Sequence, residues 1–523
     1  MLARHCVAFA FTLALLLLSV AASAQDVQPA QTLQVLVTTA PGAPSADDLV
    51  AYYEGSQLAP PPLQGLTVGN PSKIAYLIPL RAGGDFLAQL QAHPDSVRAE
   101  LERYVVVIYP AGVDLSAPLA ALRADPYVLA AYPPQPTEFS TSPAAGSRDH
   151  ALWTPAPPEA PSIDSQYGRA DMNVDTAWQM ASGYALIADI DSGLYPQSAA
   201  LRQFDAAGHY AGGGFSPVES MDISLTGLVN PPQNSSNVDE RRPMPVTDPA
   251  CNPDPQNHPD MQPNTAGHGT HVAGLMAANG SSGMGVQGTC KKCAIAMWKT
   301  APATCREATG EVILGSNYSA QLAALTLSGD IGAAIANMSF GSPSHLPPTF
   351  CTTQSLDPGC LAIAHAKYRD VAMVASSGNR RVALDFPASD PRVISAGGFQ
   401  QNLAIWDMSP NCPPSPFSSE CGSNRTLDPV YGAKQELVGS AQSVLSTTYP
   451  GYDWNPILRC GDSFPGPALG NGVGWCTGTS MSAPQIAGVL GILRSINPLV
   501  PAGADPSASG SLRRVLAGST FQA

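Results

Sequence analysis

Three short segments of this chain carry side chains suited to acid–base and nucleophilic chemistry. Ile190-Asp191-Ser192-Gly193 ends an apolar run with an acid and a glycine turn. Gly267-His268-Gly269-Thr270-His271-Val272-Ala273-Gly274 places an imidazole at the start of a helical stretch. Gly478-Thr479-Ser480-Met481-Ser482-Ala483-Pro484 presents a hydroxyl after a glycine turn, with a proline that a first helical turn tolerates. A serine hydroxyl is a weak nucleophile at neutral pH and needs a base within hydrogen-bond reach, a role that suits His268. Asp191 would hold the imidazole in the right tautomer and stabilise the imidazolium as it forms. An acid, a base and a hydroxyl acting together can attack a carbonyl carbon and form an acyl intermediate. Turnover of that kind falls on the acid side, as the base is protonated.

Such side chains must be brought together by the fold. Beyond Gln166, short apolar strands alternate with helices, the pattern of a parallel sheet covered on both faces. Strands are expected at Ala185 to Ile190, Ala294 to Trp298, Ala334 to Met338, Val371 to Ala375 and Val393 to Ser395. Helices are expected at His268 to Ala278, Tyr318 to Leu327, Cys360 to Tyr368, Ser480 to Ile496 and Ser511 to Ala517. The helix from Ser480 is apolar nearly all round, which implies a central buried position. Asp191, His268 and Ser480 can then meet at the carboxyl edge of the sheet, where open α/β folds place their sites. Ahead of this lies a smaller α+β pattern. Its strands are Leu33 to Val37, Tyr104 to Tyr109 and Tyr127 to Tyr132, and its amphipathic helices are Phe86 to Tyr104 and Leu115 to Ala124.

Taken together, and in the order Asp, His, Ser, the three segments resemble the subtilisin-like serine peptidases, the subtilase family. Ala375-Ser376-Ser377-Gly378-Asn379 is similar to the family segment whose Asn donates to the oxyanion, which assigns that role to Asn379. Asn337-Met338-Ser339-Phe340-Gly341 is similar to the strand lining the primary specificity pocket. The resemblance implies a subtilisin-like fold and a secreted endopeptidase with catalytic Asp191, His268 and Ser480. It implies a pocket edged by Ser339, Phe340, Gly341, Ser376, Ser377 and Gly378. With no obvious fixed charge there, cleavage after apolar or aromatic residues is the expectation. The resemblance also implies that the first unit is a propeptide, an intramolecular inhibitor cut away on maturation. No cofactor is implied. Relatives that hold structural calcium use an Asp shortly after the catalytic one. Gly193 to Ser198 lacks it and Asn279 to Gly285 differs in length, so calcium is not expected at that site.

Other residues invite blander readings. His271, one turn after His268, is expected to be a buried structural histidine. Asp189 shares a strand face with Asp191. An unpaired buried carboxylate is costly, so a hydrogen-bond partner or a shifted pKa is expected there. The stretch from Asn230 to Thr265 reads as a surface loop. Its Cys251, Asp254, His258 and Asp260 match no zinc spacing, and its Arg241-Arg242 pair reads as solvated.

Met1 to Gln25 has the layout of a secretory signal cut after Ala24, too short to span a membrane. Eleven cysteines, less Cys6 in that segment, leave ten, an even number that suits disulfides in an exported protein. Close spacing favours local bridges pairing Cys351 with Cys360, Cys412 with Cys421, and Cys460 with Cys476. Cys290 and Cys293 are expected to form a bridge rather than a metal or redox site.

The expected organisation is a signal at 1–24, a propeptide at 25–137, a linker with the maturation site at 138–163, and a peptidase domain at 164–523. Charged residues make up only 13% of the chain and the formal net charge is −14, which disfavours nucleic acid and anionic membranes as partners. A monomer acting on proteins or peptides, outside the cell or in a periplasm, is the resulting expectation. The competing reading from another class is a catalytically silent subtilase-like binding module, disfavoured by the intact triad. A lipase or esterase would place its serine in Gly-x-Ser-x-Gly ahead of the acid and histidine, the wrong order here.

Overall fold

The computed structural model describes residues 31–53, 63–78, 96–110, 112–139, 166–181, 183–194, 198, 200–201, 214–215, 220–223, 267–280, 285–301, 303–306, 311–314, 317–344, 346–407, 422–425, 436–448, 460–461, 473–501 and 511–519. The signal segment, nearly all of the linker and the loop at 230–265 lie outside them. Among the described residues no helix is long and apolar enough to cross a membrane.

The first unit contains β1 (Gln31–Val37), α1 (Ala46–Tyr53), β2 (Lys73–Tyr76), α2 (Ser96–Glu102), β3 (Tyr104–Tyr109), α3 (Ser116–Ala124) and β4 (Val128–Tyr132). The strands form an antiparallel sheet in the order β2-β3-β1-β4. Strand β3, Tyr-Val-Val-Val-Ile-Tyr, is buried throughout, and its period of two sorts its side chains. Val105, Val107 and Tyr109 pack on Leu49, Val50 and Leu122 from the unit's own helices. Tyr104, Val106 and Ile108 join Tyr318, Ala320 and Leu361 of the second unit. A sheet buried on both faces explains why β3 is apolar at every position. The helix expected at Phe86 to Tyr104 is described only at Ser96–Glu102. Helix α1 and strand β2 were not anticipated.

The linker begins as a strand, β5 (Glu138–Phe139). The second unit then runs α4 (Tyr167–Asp171), α5 (Val174–Ala177), β6 (Leu186–Asp191), β7 (Gly214–Phe215), β8 (Met221–Asp222), α6 (Gly267–Ala277), β9 (Ala294–Lys299), β10 (Ala303–Arg306), β11 (Glu311–Leu314) and α7 (Tyr318–Asp330). It continues with β12 (Ile335–Met338), β13 (Phe340–Gly341), α8 (Phe350–Thr353), α9 (Pro358–Tyr368), β14 (Ala372–Ser376), β15 (Ile394–Phe399), β16 (Leu437–Ser440), β17 (Val444–Thr447), β18 (Cys460–Gly461), β19 (Val473–Cys476), α10 (Thr479–Ile496) and α11 (Leu512–Ser519). The main sheet has the order β16-β15-β14-β12-β6-β9-β7, with β8 also on β9, and every pairing is parallel.

Helices cover both faces of this sheet, as an α/β fold requires. On one side Ala188, Ile190, Ala336 and Met338 pack against Leu322 and Leu325 of α7 and Ile363 of α9. On the other, Ile187, Ile295, Ile335 and Val374 meet Val272 and Met276 of α6 and Met481, Ile486 and Leu490 of α10. By alternation, Asp189 and Asp191 share the face of Ile187, so both carboxyls turn toward α6 and α10.

Local caps set where helices begin. Asp357 caps α9 by accepting from the backbone N–H of Gly359 at 2.9 Å and Cys360 at 3.3 Å. Its burial pushes its pKa up to about 6. Asn317 caps α7 through the Ala320 N–H. Cys290 with Cys293 and Cys351 with Cys360 form disulfides. Cys476 is also disulfide-bonded and lies directly across β19 and β18 from Cys460. Cys412 and Cys421 lie outside the described residues.

Candidate active site

Asp191 is the last residue of β6, His268 the second of α6 and Ser480 the second of α10, so the three converge at the carboxyl edge of the parallel sheet. His268 Nδ1 stands 2.6 Å from Asp191 Oδ1, both side chains being buried. The Ser192 N–H donates to the same oxygen at 2.6 Å, and the Ser192 hydroxyl accepts from the Gly269 N–H at 3.1 Å. These bonds lock the carboxylate and the first turn of α6 together. The contact requires glycine at 269, since a Cβ there would lie 2.2 Å from the Gly193 carbonyl oxygen. In so dry a setting the carboxylate–imidazole bond is stronger than it would be in water.

Ser480 is positioned by the turn at Gly478, whose φ of 148° suits glycine. Its hydroxyl donates to the Ser339 carbonyl at 2.8 Å, and its own carbonyl accepts from the Ser339 hydroxyl at 3.0 Å. Ser339 is further tied by the Asn337 amide, which donates to its hydroxyl at 3.0 Å. Asn379 Oδ1 accepts from both the N–H and the hydroxyl of Thr479, at 2.9 and 2.8 Å. Two donors on Oδ1 fix the orientation of the amide, so its NH2 end is the one turned away from Thr479. Sequence reasoning did not pick out Thr479 for this work, although it is the residue beside Ser480.

Asp189 is fully buried, and its partner is Asn337, whose Nδ2 donates to Oδ1 at 3.0 Å. Burial pushes the Asp189 pKa well above the carboxylate range. The nearby Asp191 adds to this, and the Asn337 bond opposes it. His271 takes the structural part expected of it: its Nε2 donates to the Val444 carbonyl at 2.9 Å. Burial drives its pKa down to about 3.

The six residues read as pocket edges, Ser339, Phe340, Gly341, Ser376, Ser377 and Gly378, are all buried beside these groups. Strand β13 also accepts an antiparallel neighbour: β5 pairs with it, Phe139 opposite Phe340 and Glu138 opposite Gly341. Strand addition of this kind uses main-chain bonds and suits recognition of extended peptides. Among the described residues no group of His, Cys, Asp or Glu is arranged to hold a metal ion. The loops at 195–197 and 281–284 fall outside them.

The profile of the Subtilase family matches residues 185–516. Subtilisin BL of Lederbergia lenta is 28% identical over 233 residues, which is 44% of this chain and 64% of that protein. M-protease of Shouchella clausii (strain KSM-K16) is 28% identical over 233 residues, 44% of this chain and 46% of its own length. The similarity thus spans between about half and two thirds of these relatives. The solved structure of a protease from Pseudoalteromonas arctica PAMC 21717 aligns over 69% of this chain and 91% of its own, with a TM-score of 0.43 and 20% identity.

Proposed function

Because the chain belongs to the subtilase family, we propose that it is a serine endopeptidase, hydrolysing peptide bonds through Ser480, His268 and Asp191. The observation that carries this reading is the 2.6 Å pairing of His268 with buried Asp191 beside the helix that presents Ser480. To act, the Ser480 hydroxyl leaves the Ser339 carbonyl and passes its proton to His268 Nε2 as its oxygen attacks the substrate carbonyl. Asp191 stabilises the resulting imidazolium. The oxyanion is held by the Asn379 NH2 and the Ser480 backbone N–H. His268 then gives the proton to the leaving amine, and water hydrolyses the acyl-enzyme by the reverse route.

The unit from 25 to 137 is read as a propeptide, with maturation in 138–163. Its packing against α7 and α9 supports this. Gln34 donates to the Ser319 hydroxyl at 3.1 Å, and Arg98 pairs with Asp330 at 2.9 Å. The pairing of β5 with β13 supports it further, because a segment lying along the pocket strand excludes substrate. The signal-like segment at 1–24 supports export, outside the cell or into a periplasm, and the reading is of a monomer. The test is reaction with a serine-directed fluorophosphonate. Labelling of the native chain and none of Ser480→Ala is the expected result. A chain that stays unlabelled after its first unit has been cut away would favour the silent binding module instead. Ser480→Ala should also remain as an uncut precursor; normal maturation of that variant would assign the cut to another protease.

A further inference from the structure

Helix α10 begins with a carbonyl that the regular helix bond cannot satisfy. The Ser480 C=O would accept from the N–H four residues on, but that residue is Pro484, which has none. Ser480 is fully buried, so bulk water does not supply the donor, and a buried carbonyl left unpaired is costly. The Ser339 hydroxyl supplies it, at 3.0 Å. Ser339 thereby grips Ser480 twice, because its own carbonyl accepts from the Ser480 hydroxyl at 2.8 Å.

A hydroxyl has one hydrogen to give, and the group facing its oxygen decides where that hydrogen goes. Asn337 Nδ2 donates to Ser339 Oγ at 3.0 Å, which leaves the Ser339 hydrogen for Ser480. The amide's second hydrogen goes to Asp189 Oδ1, also at 3.0 Å. Asp189, Asn337, Ser339 and Ser480 all have 0% exposure, so bulk water does not compete with these bonds. The sheet sets the arrangement: β12 lies parallel to β6 with Asn337 beside Asp189, and Ser339 follows two residues on. Burial favours the neutral form of Asp189, whose carbonyl oxygen still accepts. The two acids of β6 thus lead to different partners: Asp191 meets His268 directly, while Asp189 reaches Ser480 through two intermediaries.

We infer that Asp189 is a positioning residue for Ser480, acting through Asn337 and Ser339. The inference rests on the peptidase reading above. An acceptor at 189 keeps the Asn337 amide turned with its NH2 toward Ser339. Without that acceptor one amide hydrogen is buried unpaired, and the amide is released to turn its oxygen toward the Ser339 hydroxyl instead. The hydroxyl then gives its hydrogen to Asn337 and lets go of the Ser480 carbonyl. With Pro484 unable to replace it, the first turn of α10 is no longer held at the residue that carries the nucleophile. Small displacements of a reacting group cost rate rather than substrate binding, by as much as about 10²-fold.

The experiment compares Asp189→Asn, Asp189→Leu, Ser339→Ala and the double variant Asp189→Leu with Ser339→Ala. Chains are folded at full length and the first unit is cut away, by an added protease where a variant does not cut itself. Peptide kcat and KM, the rate of fluorophosphonate labelling and urea unfolding are measured on each. Asp189→Asn keeps an acceptor and should lose less than about 10-fold in kcat. Asp189→Leu and Ser339→Ala should each lose about 10- to 100-fold in kcat and in labelling rate, with the Asp189→Leu KM nearly unchanged. The double variant should be no slower than Ser339→Ala alone, because both changes break one chain of bonds. Losses that multiply in the double variant overturn the inference, as does an Asp189→Leu chain as fast as Asp189→Asn. Should Asp189→Leu fail to fold, Ser339→Ala, which removes one oxygen, decides: labelling at the native rate overturns the inference. A native chain that neither labels nor cleaves once its first unit is gone overturns the peptidase reading and this inference with it.

Discussion

The two faces of the central sheet are made by the same strands and do opposite work. Toward α7 and α9, strands β6 and β12 offer Ala188, Ile190, Ala336 and Met338, all apolar and packed. Toward α6 and α10, the alternate residues of the same strands include Asp191, which meets His268, and Asp189 and Asn337, which bond each other and reach Ser480 only through Ser339. A period of two lets one short strand supply packing on one side and chemistry on the other. Part of the cost of the polar face is offset by hydrogen bonds, since Oδ1 of each buried acid there has a donor.

That contrast can be broken most sharply at the site itself. Ser480→Ala should lower kcat by about 10⁶ and Asp191→Asn by about 10⁴, measured on a peptide substrate, with the unfolding transition little changed. Asn379→Ala should cost about 10² to 10³ in kcat and leave KM nearly as it was. Across the sheet, Ile190→Ala should do the reverse. It should lose about 2 to 5 kcal/mol in denaturant unfolding while the rate per folded molecule holds.

Smaller effects sharpen the picture. His271 binds its proton more weakly in the folded state, at about 3, than in the unfolded chain, at about 6.5. The unfolded state therefore takes up more protons in that window, and stability falls as pH drops from about 6.5 toward 3. Urea titrations at several pH values should show this slope, and His271→Gln should flatten it. The smallest effect is expected at Asp189. Its environment favours the neutral form, so Asp189→Asn should change kcat less than about 10-fold. A loss matching that of Asp191→Asn would show that the two acids are not the different groups their surroundings suggest.

Much of this was legible in the sequence because the information is local. Strands β6, β9, β12, β14 and β15 and helices α6, α7, α9 and α10 follow from runs of apolar residues, with boundaries shifted by one to a few residues. The Asp, His and Ser segments are contiguous motifs, and the structure brings Asp191 and His268 into contact. Non-local register was not legible. That Asn337 is the partner of Asp189 depends on β12 lying parallel to β6 with residue 337 beside 189. The role of Thr479 depends on the approach of the 378–379 turn to α10. Asp385 belongs to no motif, and only the bonding of its segment to Ser342 and Ser377 places it between Gly341 and Gly378. The short strands β17 to β19 carry too few residues for periodicity to reveal them.

The seating of β5 on β13 has a consequence for timing. In the propeptide reading, the strand of the attached first unit competes with substrate for β13 as a tethered ligand, at an effective concentration of the order of millimolar for a short linker. Cutting the chain beyond Phe139 does not remove that ligand. It turns a unimolecular equilibrium into a bimolecular one, in which the unit's hold on α7 and α9 still counts but dilution now works against it. In the peptidase reading, the onset of activity is then set by concentration and by destruction of the released unit, rather than by the cut alone.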